Sequence, residues 1–352
     1  MFQIDEITRK NILSLVPYSS ARSEFSSTDA ILLDANENPY NNPFNRYPDP
    51  LQRQLKVAIA QMLDISPDRI FLGNGSDEAI DLLFRAFCEP VKQNAISADP
   101  SYGMFEVCAR INDVELKRIP LTPEFQLDTE RMLQAVDADT RLIFLCSPNN
   151  PTGNLMNRES IINLSRNFKG LVVVDEAYID FADSGSIITC LEEIPNLVIL
   201  RTFSKAWGLA GVRLGMAIAS EQIIAVLNKI KYPYNINLLT QRKVARMLRK
   251  IDRRNRWVAT IKKEKTKLVE ALGKLDHVRK IYPSDANFIL VKFTNHKDVL
   301  KYLVSEKIVV RNRSTAFMCE GCLRITVGSK HENKLLIRKL QVFEKKNKFQ
   351  PS

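Results

Sequence analysis

Histidine is scarce in this chain of 352 residues, which contains only His277, His296 and His331. None of the three lies close to another in the sequence, which argues against a histidine metal cluster and gives no support to a serine–histidine–aspartate triad. Long apolar runs are lacking too, since none approaches the ~18 residues of a membrane span. Residues 1–10 also lack the apolar core of a signal peptide. We therefore expect a cytoplasmic protein without a membrane partner.

The six cysteines are dispersed, and only Cys319 and Cys322 lie close enough to form a C-x-x-C motif. A zinc site would need a second pair of ligands, and none is visible in the sequence. A thioredoxin-like motif would need its own small strand–helix context, whereas this pair leads into a predicted strand. The four isolated cysteines are typical of small buried apolar residues. We therefore expect no metal site.

Acidic residues are outnumbered, because 51 lysines and arginines stand against 40 aspartates and glutamates and give a net charge of +11. Such an excess can indicate a nucleic-acid partner. However, the basic residues are scattered, with local density only at residues 242–267 and 345–348. No zinc-finger, RNA-binding or helix-turn-helix signature accompanies them. A basic surface that attracts anionic metabolites fits the composition equally well.

Short apolar segments alternate with amphipathic ones over residues 49–219. The apolar segments predict strands at residues 69–72, 94–98, 114–119, 142–145, 171–174, 197–200 and 216–219. The amphipathic segments predict helices that begin at Asp49-Pro50 and at Ser76, and further helices at residues 102–111, 129–136 and 159–168. Mostly apolar strands separated by helices indicate an α/β fold with a parallel sheet that is covered on both faces.

The character of the sequence changes after Tyr234. Residues 238–275 predict a long, basic amphipathic helix. Beyond it the pattern predicts strands at residues 288–293, 308–311 and 323–327 and helices at residues 297–306 and 331–344. This order of elements indicates a smaller α+β unit beside the larger sheet.

Polar side chains follow the predicted strands of the larger sheet, at the point where each strand ends. They are Ser76, Asp77, Tyr102, Asn150, Asp175, Tyr178 and Lys205. In open α/β sheets ligands bind beyond the carboxyl ends of the strands, so we expect these side chains to share one rim. A lone loop lysine is usually solvated. Only partners such as these would make Lys205 a nucleophile that forms a Schiff base.

The set matches the needs of pyridoxal phosphate, which requires a Schiff-base lysine, an acidic partner for its ring nitrogen and an anion site for its phosphate. Asp175 closes a wholly apolar strand. A buried carboxylate normally has a partner, which a protonated ring nitrogen would supply. The helix that begins at Ser76 offers free backbone N–H groups to a phosphate. Two interpretations of Asp77 stay open. Its backbone could bind the phosphate, or its side chain could simply be a first-turn carboxylate that the helix dipole favours.

Three segments resemble the fold-type I pyridoxal-phosphate aminotransferases in order and spacing. They are Asn149-Asn150-Pro151-Thr152-Gly153, Asp175-Glu176-Ala177-Tyr178, and the stretch from Ser204-Lys205 through Gly208-Leu209-Ala210-Gly211 to Arg213. The resemblance implies a large domain with a mainly parallel sheet flanked by helices, a small α+β domain built from both chain ends, and a homodimer with shared active sites. We place the large domain at residues 40–236 and the small domain at residues 1–39 and 237–352.

Flanking segments narrow the resemblance. Residues 16–22, 33–39, 45–48, 101–104 and 321–328 are similar to those of the class-II histidinol-phosphate aminotransferase family. This implies reversible amino transfer between L-histidinol phosphate and 2-oxoglutarate, which yields imidazole acetol phosphate and L-glutamate in L-histidine biosynthesis. Two neighbouring activities stay open, namely aromatic amino-acid amino transfer and threonine-phosphate decarboxylation. A nucleic-acid-binding or regulatory protein on the same scaffold is disfavoured by the intact Lys205, Asp175 and Arg213, so we expect no nucleic-acid partner.

The resemblance also implies roles for the residues that bind the cofactor. Lys205 forms the Schiff base and moves the substrate's proton, and Asp175 pairs with the ring nitrogen. Tyr102 packs on the ring, and Asn150 and Tyr178 bind the ring oxygen. The cofactor's phosphate is assigned to Ser76, Asp77, Ser204, Arg213 and, from the partner subunit, Tyr47.

Further roles concern the substrate. Arg324 would bind the substrate's α-carboxylate bidentately, the geometry that arginine suits. Asn150 is also implied as a substrate contact. Tyr18 and Arg311 are candidates for the substrate's own phosphate. Trp207 stands where the family often has phenylalanine, and Met216 where it often has tyrosine. We expect both to be packing changes near the cofactor loop, and whether Trp207 also reshapes the mouth of the site stays open.

Overall fold

The larger sheet contains seven strands. The computed structural model of the chain describes residues 2–17 and 31–348. The strand order is β1-β7-β6-β5-β4-β2-β3. The bounds are β1 Ile70–Asn74, β2 Asn94–Asp99, β3 Glu115–Pro120, β4 Thr140–Cys146, β5 Leu171–Asp175, β6 Leu197–Thr202 and β7 Leu214–Ile218. Strands β2 to β6 pair in parallel, so the sheet is mainly parallel, as predicted.

Strand β7 is the exception, because it runs antiparallel to both β1 and β6. Parallel neighbours need a crossover connection of a dozen or more residues, usually a helix. Residues 203–213, which join β6 to β7, contain only the short 3₁₀ turn Ala210–Val212. The chain therefore reverses direction in this segment, so β7 runs antiparallel in an otherwise parallel sheet. The reversing segment is the one that carries Lys205.

Helices cover both faces of this sheet. In this part of the chain they are Ile4–Ile7, Lys10–Leu13, Arg53–Leu63, Ser76–Phe87, Met104–Ile111, Thr129–Gln134, Arg158–Asn167, Glu221–Ile230 and Leu238–Leu248. On one face, Phe84 stacks on Phe144 of β4 with ring centroids 5.0 Å apart. On the other face, Leu72 of β1 belongs to a cluster with Leu55 and Ile59. Burial on both faces explains why the strands are continuous apolar runs.

The helix predicted to begin at Asp49-Pro50 begins at Arg53 instead. The Asp49 carboxylate accepts the backbone N–H groups of Leu51 at 3.0 Å and Arg53 at 2.7 Å. Gln52, between them, is left-handed with a φ of 51°. An aspartate that binds the backbone two residues on forms a turn. Asp49 therefore turns the chain ahead of the helix, and the helical geometry starts four residues later.

The second sheet is antiparallel and has the strand order β10-β11-β9-β8. The bounds are β8 Val278–Ile281, β9 Phe288–Phe293, β10 Arg311–Asn312 and β11 Cys322–Thr326, with helices Ile251–Leu272, His296–Ser305 and Lys330–Lys348. Their apolar core includes Leu268, Val291, Leu323 and Leu340. The predicted α+β unit is therefore present.

Two predictions for this part of the chain are wrong, and one strand was missed. The helix expected over residues 238–275 is two helices, because Leu238–Leu248 packs on Arg53–Leu63 while Ile251–Leu272 packs on Lys330–Lys348. No proline or glycine marks the break. Strand β8 was not predicted, since its central residues are exposed and basic. The strand expected at residues 308–311 is reduced to the two residues of β10.

The N-terminal residues lie against the larger sheet. Ile4 joins the apolar cluster that contains Phe84, and the backbone N–H of Arg9 donates to the carbonyl of Ala86 at 3.0 Å. The assignment of residues 1–39 to the smaller domain stays a prediction, although these two contacts join the first helices to the larger sheet. None of the described helices has the length and apolar composition needed to cross a membrane. Among residues 2–17 and 31–348, no group of three or more His, Cys, Asp and Glu side chains could hold a metal ion.

Candidate active site

A cleft of about 130 Å³ opens at the carboxyl ends of the parallel strands. Its lining includes nine of the residues predicted from separate segments, which are Ser76, Asp77, Tyr102, Asn150, Asp175, Tyr178, Ser204, Lys205 and Arg213. The strands β4, β5 and β6 end side by side, and each delivers its following turn to the same rim. The structure therefore brings together the residues that the sequence placed after different strands.

Asp175 is the last residue of β5 and is 3% exposed. One of its carboxylate oxygens accepts the backbone N–H of Ala177 at 2.9 Å. Burial raises the pKa of Asp175 to about 7, while that N–H and the charge of Lys205 act in the opposite direction. A buried carboxyl with a raised pKa is one whose ionised form lacks sufficient compensation. A cation placed in the cleft beside Asp175 would provide it.

Lys205 lies in a tight turn after β6. The backbone N–H of Gly208 donates to the carbonyl of Lys205 at 3.0 Å, and Gly208 has a φ of +63°. The Lys205 Nζ lies 5.3 Å from the ring centroid of Tyr178. Burial lowers the pKa of Lys205, and the positive charge of Arg324 lowers it further. The amine is therefore more often neutral than that of a solvated lysine, which is the state in which it can act as a nucleophile.

The opposite end of the cleft is suited to an anion. The helix Ser76–Phe87 begins there, and the first N–H groups of a helix have no partner within it. Gly75 has a φ of +74°, and a Cβ at this position would lie 2.6 Å from Nη2 of Arg213. Glycine is therefore required for the guanidinium to approach the helix start. Ser204 lies on the same lining.

The Asp77 side chain has hydrogen-bond partners on two sides. The sequence had left open whether this side chain has a role in the site. The hydroxyl of Tyr102 donates to Oδ1 of Asp77 at 3.0 Å, and Nη2 of Arg213 donates to Oδ2 at 3.5 Å. Burial raises the pKa of Tyr102, and the Asp77 carboxylate raises it further, so the hydroxyl stays protonated and donates. Asp77 therefore orients the tyrosine and the arginine, in addition to any contribution from its backbone.

Arg324 reaches the cleft from the second sheet. Its Nη1 donates to Oδ1 of Asn150, which is 4% exposed. Its guanidinium carbon lies 5.2 Å from the ring centroid of Phe288. Arg324 of β11 is paired with Arg311 of β10. Two predicted substrate residues are thus adjacent, although Arg311 is exposed while Arg324 is half-buried.

Arg313 was not predicted, yet it belongs to the same group of arginines. Burial lowers the pKa of Arg313, and its strongest charged neighbours are Arg324 and Arg311. Its Nε is buried and has no hydrogen-bond partner within the described part of the chain. Arg313 directly follows the two residues of β10, and its backbone N–H donates to the carbonyl of Cys322 in β11 at 3.0 Å. The pairing of the chain with β11 therefore holds Arg313 in the same region as Arg311 and Arg324.

Among the residues that the structure describes, Tyr47 and Trp207 lie away from the cleft. Tyr47 lies in a separate groove and stacks on Tyr234, with ring centroids 4.5 Å apart. Tyr18 lies outside the described residues. Trp207 is 3% exposed and packs on Phe203, with ring centroids 5.5 Å apart. The burial of Trp207 agrees with the expected packing change, since the ring is turned into the core beneath the Lys205 turn.

The chain belongs to the family of class I and II aminotransferases, whose model matches residues 19–340. A histidinol-phosphate aminotransferase of Bacteroides fragilis is 53% identical over 345 residues, which cover 98% of this chain and 100% of the relative. These matches confirm the resemblance inferred from the motifs. They cover nearly the whole chain, so the family assignment applies to the second sheet as well as the first.

Solved structures agree with the fold. The histidinol-phosphate aminotransferase of Clostridium acetobutylicum is similar with a TM-score of 0.79 and 26% identity, over 86% of this chain and 92% of that one. The enzyme of Sinorhizobium meliloti, solved in complex with pyridoxal-5'-phosphate, has a TM-score of 0.75 and 24% identity, over 85% of this chain and 83% of that one. The predicted fold class is confirmed.

Proposed function

We propose that this chain is a pyridoxal-phosphate-dependent aminotransferase that exchanges an amino group between L-histidinol phosphate and 2-oxoglutarate in L-histidine biosynthesis. One observation carries the proposal, which is the meeting of Lys205, Asp175 and the helix start at Ser76 in a single cleft. Arg324 contacts this cleft through Asn150. The Bacteroides fragilis relative, 53% identical over 98% of this chain, is a histidinol-phosphate aminotransferase.

Pyridoxal phosphate fits the cleft at three points. Asp175 is a buried acid that needs a cation, and a protonated ring nitrogen would supply one. The helix start, with Ser76, Asp77, Ser204 and Arg213 around it, is suited to the phosphate. Lys205 reaches the same space with an amine of lowered pKa. When bound, the cofactor supplies an electron sink for the negative charge that develops on the substrate's carbon.

The residues of the chain then have distinct tasks. Lys205 takes the proton from the substrate's amine-bearing carbon and returns it later, and its lowered pKa favours the neutral amine that this role needs. Asp175 holds positive charge at the ring nitrogen. Asn150 and Tyr178 bind the ring oxygen, and Nδ2 of Asn150 is left to donate because its Oδ1 already accepts from Arg324. Tyr102 covers one face of the ring, in an orientation that Asp77 fixes.

Arg311, Arg313 and Arg324 suit an anionic substrate. The pKa of Arg313 is lowered first by burial and then by the two neighbouring arginines, so the three guanidinium groups lie close enough to repel one another. A phosphate dianion bound among them would relieve that repulsion. The same arginines would bind a carboxylate of glutamate, which lets one pocket take both donors in turn. Tyr18 is proposed as a further ligand of the substrate's phosphate.

The arginine group can be tested by removing the phosphate from the donor. We expect Arg311→Ala and Arg313→Met each to lower kcat/KM for histidinol phosphate by about 10- to 100-fold, because a hydrogen bond to a charged group contributes about 1.5–3 kcal/mol. The loss for histidinol, which lacks the phosphate, should be less than about threefold. Steady-state kinetics with both donors measure this, and Arg279→Ala in β8 is a matched control. Equal losses with the two donors would remove the arginine from the phosphate site.

Two neighbouring activities remain as alternatives, aromatic amino-acid amino transfer and threonine-phosphate decarboxylation. The arginine group disfavours a plain aromatic enzyme, because phenylalanine offers it only one carboxylate. A panel of donors comparing histidinol phosphate, phenylalanine and threonine phosphate separates the three. We expect the highest kcat/KM with histidinol phosphate, and release of carbon dioxide from threonine phosphate would replace this function by the decarboxylase.

The exposed aromatic surface around Tyr47 supports a homodimer. A groove of about 550 Å³ is lined by Tyr47, Phe44, Tyr234 and Leu239. Of these, Phe44 is 56% and Leu239 63% exposed in the single chain. Contiguous exposed apolar side chains mark interaction surfaces. We propose that a second copy covers this surface and that Tyr47 reaches the phosphate of the cofactor in the partner's cleft.

A mixing experiment tests the shared site. Tyr47→Phe removes the hydroxyl, and Lys205→Ala removes the lysine, so each homodimer should be impaired at both sites. In a mixed dimer, one site keeps Lys205 together with the partner's intact Tyr47. We expect equimolar mixing, after dissociation and reassembly, to restore about a quarter of wild-type activity, since half the dimers are mixed and each has one intact site. Absence of recovery in verified mixed dimers would place Tyr47 in its own subunit's site.

The domain division, the cellular compartment and the partners are further parts of the proposal. We propose a large domain at residues 40–236 and a small domain at residues 1–39 and 237–352. The two sheets support this division, whereas the contacts of Ile4 favour grouping the first helices with the larger sheet. The enzyme would work in the cytoplasm, without a nucleic-acid or membrane partner. Its basic surface would attract anionic metabolites.

A further inference from the structure

Arg254 connects two segments that carry residues of the cleft. It lies near the start of the helix Ile251–Leu272. Its Nη2 donates to Oδ1 of Asp180 at 2.7 Å, and its guanidinium carbon lies 5.1 Å from the ring centroid of Trp207. Asp180 follows Tyr178 by two residues, and Trp207 follows Lys205 by two residues. A helix outside the larger sheet therefore holds both turns through one side chain, a set of contacts that we call the Arg254 bridge.

The Arg254 bridge is sheltered from water. The side chains of Arg254 and Asp180 are each 19% exposed, and Trp207 is 3% exposed. A shielded ion pair is screened less by salt than one on the surface. Tryptophan is the aromatic side chain that attracts a cation most strongly in a cation–π contact. The phenylalanine that often stands at this position in the resembling family would offer a weaker partner. Trp207 thus has a function in the structure that its burial alone would not show.

The geometry of the guanidinium indicates that the two turns determine its position. Its Nη1 also donates to Asn255 on the same helix at 2.7 Å. Its Nε is buried without a hydrogen-bond partner among residues 2–17 and 31–348. A buried donor without a partner has a cost in free energy. The contacts with Asp180 and Trp207 therefore outweigh that cost, and they hold the helix to both turns.

Movement of either turn would move a residue of the cleft. The backbone N–H of Phe181 donates to the carbonyl of Tyr178 at 3.0 Å, so the turn that contains Asp180 is continuous with Tyr178. On the other side, the N–H of Gly208 donates to the carbonyl of Lys205 at 3.0 Å, which closes the turn around Trp207. Lys205 Nζ lies 5.3 Å from the ring centroid of Tyr178, and this distance depends on how the two turns are placed relative to each other.

We propose that Arg254 is a positioning residue that holds the Lys205 turn and the Tyr178 turn in register through Trp207 and Asp180. It touches neither substrate nor cofactor and acts through those two side chains. The proposal rests on the proposed use of Lys205 as the lysine that binds pyridoxal phosphate. It predicts that loss of the Arg254 bridge loosens the lysine while its charged neighbours Asp77, Asp175, Arg213 and Arg324 stay in place.

The test compares Arg254→Met with Arg253→Met in the full-length protein loaded with pyridoxal phosphate. Arg253 is the matched control, since it is exposed and stacks on Trp257 at 4.9 Å on the same helix. We expect Arg254→Met to release the cofactor about tenfold faster in hydroxylamine, and to shift the pH midpoint of the lysine-dependent visible absorbance. Arg253→Met should match the wild type in both measurements. Arg254→Met values equal to those of Arg253→Met would overturn the proposal.

Conservative variants keep the proposal testable if Arg254→Met does not fold. Arg254→Lys retains the charge but loses the planar fork and the stacking, so its release rate should lie between those of the wild type and Arg254→Met. Asp180→Asn keeps an acceptor oxygen and removes only the charge, and we expect the absorbance midpoint to shift in the same direction. A midpoint unchanged in both conservative variants would also reject the proposal. A wild type without any Lys205-dependent absorbance would instead reject the proposed function.

Discussion

Lys205→Ala is expected to abolish cofactor attachment and to remove amino transfer. Lys205 is the lysine that the turn between β6 and β7 delivers to the cleft. On its proposed roles, its loss removes both the nucleophile that binds the cofactor and the base that moves the substrate's proton. A positioned general acid–base alone contributes about 10²–10⁴-fold to a rate, so we expect a loss at the upper end of that range or beyond it. Stopped-flow and steady-state assays with histidinol phosphate measure it.

Spectroscopy separates attachment from catalysis. The wild type mixed with pyridoxal phosphate should absorb visible light, and borohydride should remove this absorbance and fix the cofactor's mass on the peptide that contains Lys205. Lys205→Arg, which keeps the charge, should show neither change. Lys262→Ala is a matched control, because that lysine pairs with Asp183 away from the cleft. Mass fixed on any other lysine in the wild type would contradict the assignment of Lys205.

The rim of the larger sheet could be predicted from the sequence because its chemistry follows strand ends. Polar residues lie in the turns that follow the apolar runs, and the carboxyl ends of parallel strands meet at one edge. Asp175 after β5 and Lys205 after β6 needed only this rule. The roles of Asn150 and Tyr178 needed the family resemblance, and these roles stay proposals.

Other features of the site and of the fold could not be predicted from the sequence, because they depend on contacts between segments that are far apart in the chain. The role of the Asp77 carboxylate depends on its hydrogen bonds with Tyr102 and Arg213, which lie 25 and 136 residues away in the sequence. The break between the helices Leu238–Leu248 and Ile251–Leu272 is marked by no proline or glycine, since it arises from packing on two different layers. Local propensity is a weak guide where tertiary packing decides. Arg313 was missed for the same reason, because it lies beyond the predicted strand and beyond the two residues of β10.

Asp175→Asn is expected to stabilise the cofactor-free protein at neutral pH and to weaken cofactor binding. Burial raises the pKa of Asp175 to about 7 in the folded chain, whereas an unfolded aspartate has a pKa of about 3.9. Between these values the folded state binds more protons than the unfolded state, so its free energy of unfolding falls as the pH rises. Above pH 7 the cost could reach about 4 kcal/mol by the same linkage. Asparagine does not titrate, so Asp175→Asn removes this pH-dependent cost in stability.

Denaturant unfolding of the cofactor-free proteins from pH 4 to pH 8 measures this difference. We expect the two proteins to have similar stability near pH 4 and Asp175→Asn to be the more stable at pH 8. Asp137→Asn is a control, since Lys117 holds the pKa of Asp137 below its usual range and its loss should act in the opposite direction. Parallel curves for the wild type and Asp175→Asn would show that the buried carboxyl titrates normally.

Addition of pyridoxal phosphate should reverse the order of stability. In the wild type, a protonated ring nitrogen beside Asp175 favours the carboxylate, lowers its pKa and removes the loss of stability above pH 4. Asp175→Asn cannot form that ion pair, so the cofactor should bind it more weakly and stabilise it less at equal concentration. The reversal has a physical cause: the same buried position that makes Asp175 unfavourable in the empty cleft makes it an effective partner for the ring. A variant that binds pyridoxal phosphate as tightly as the wild type would separate Asp175 from the cofactor.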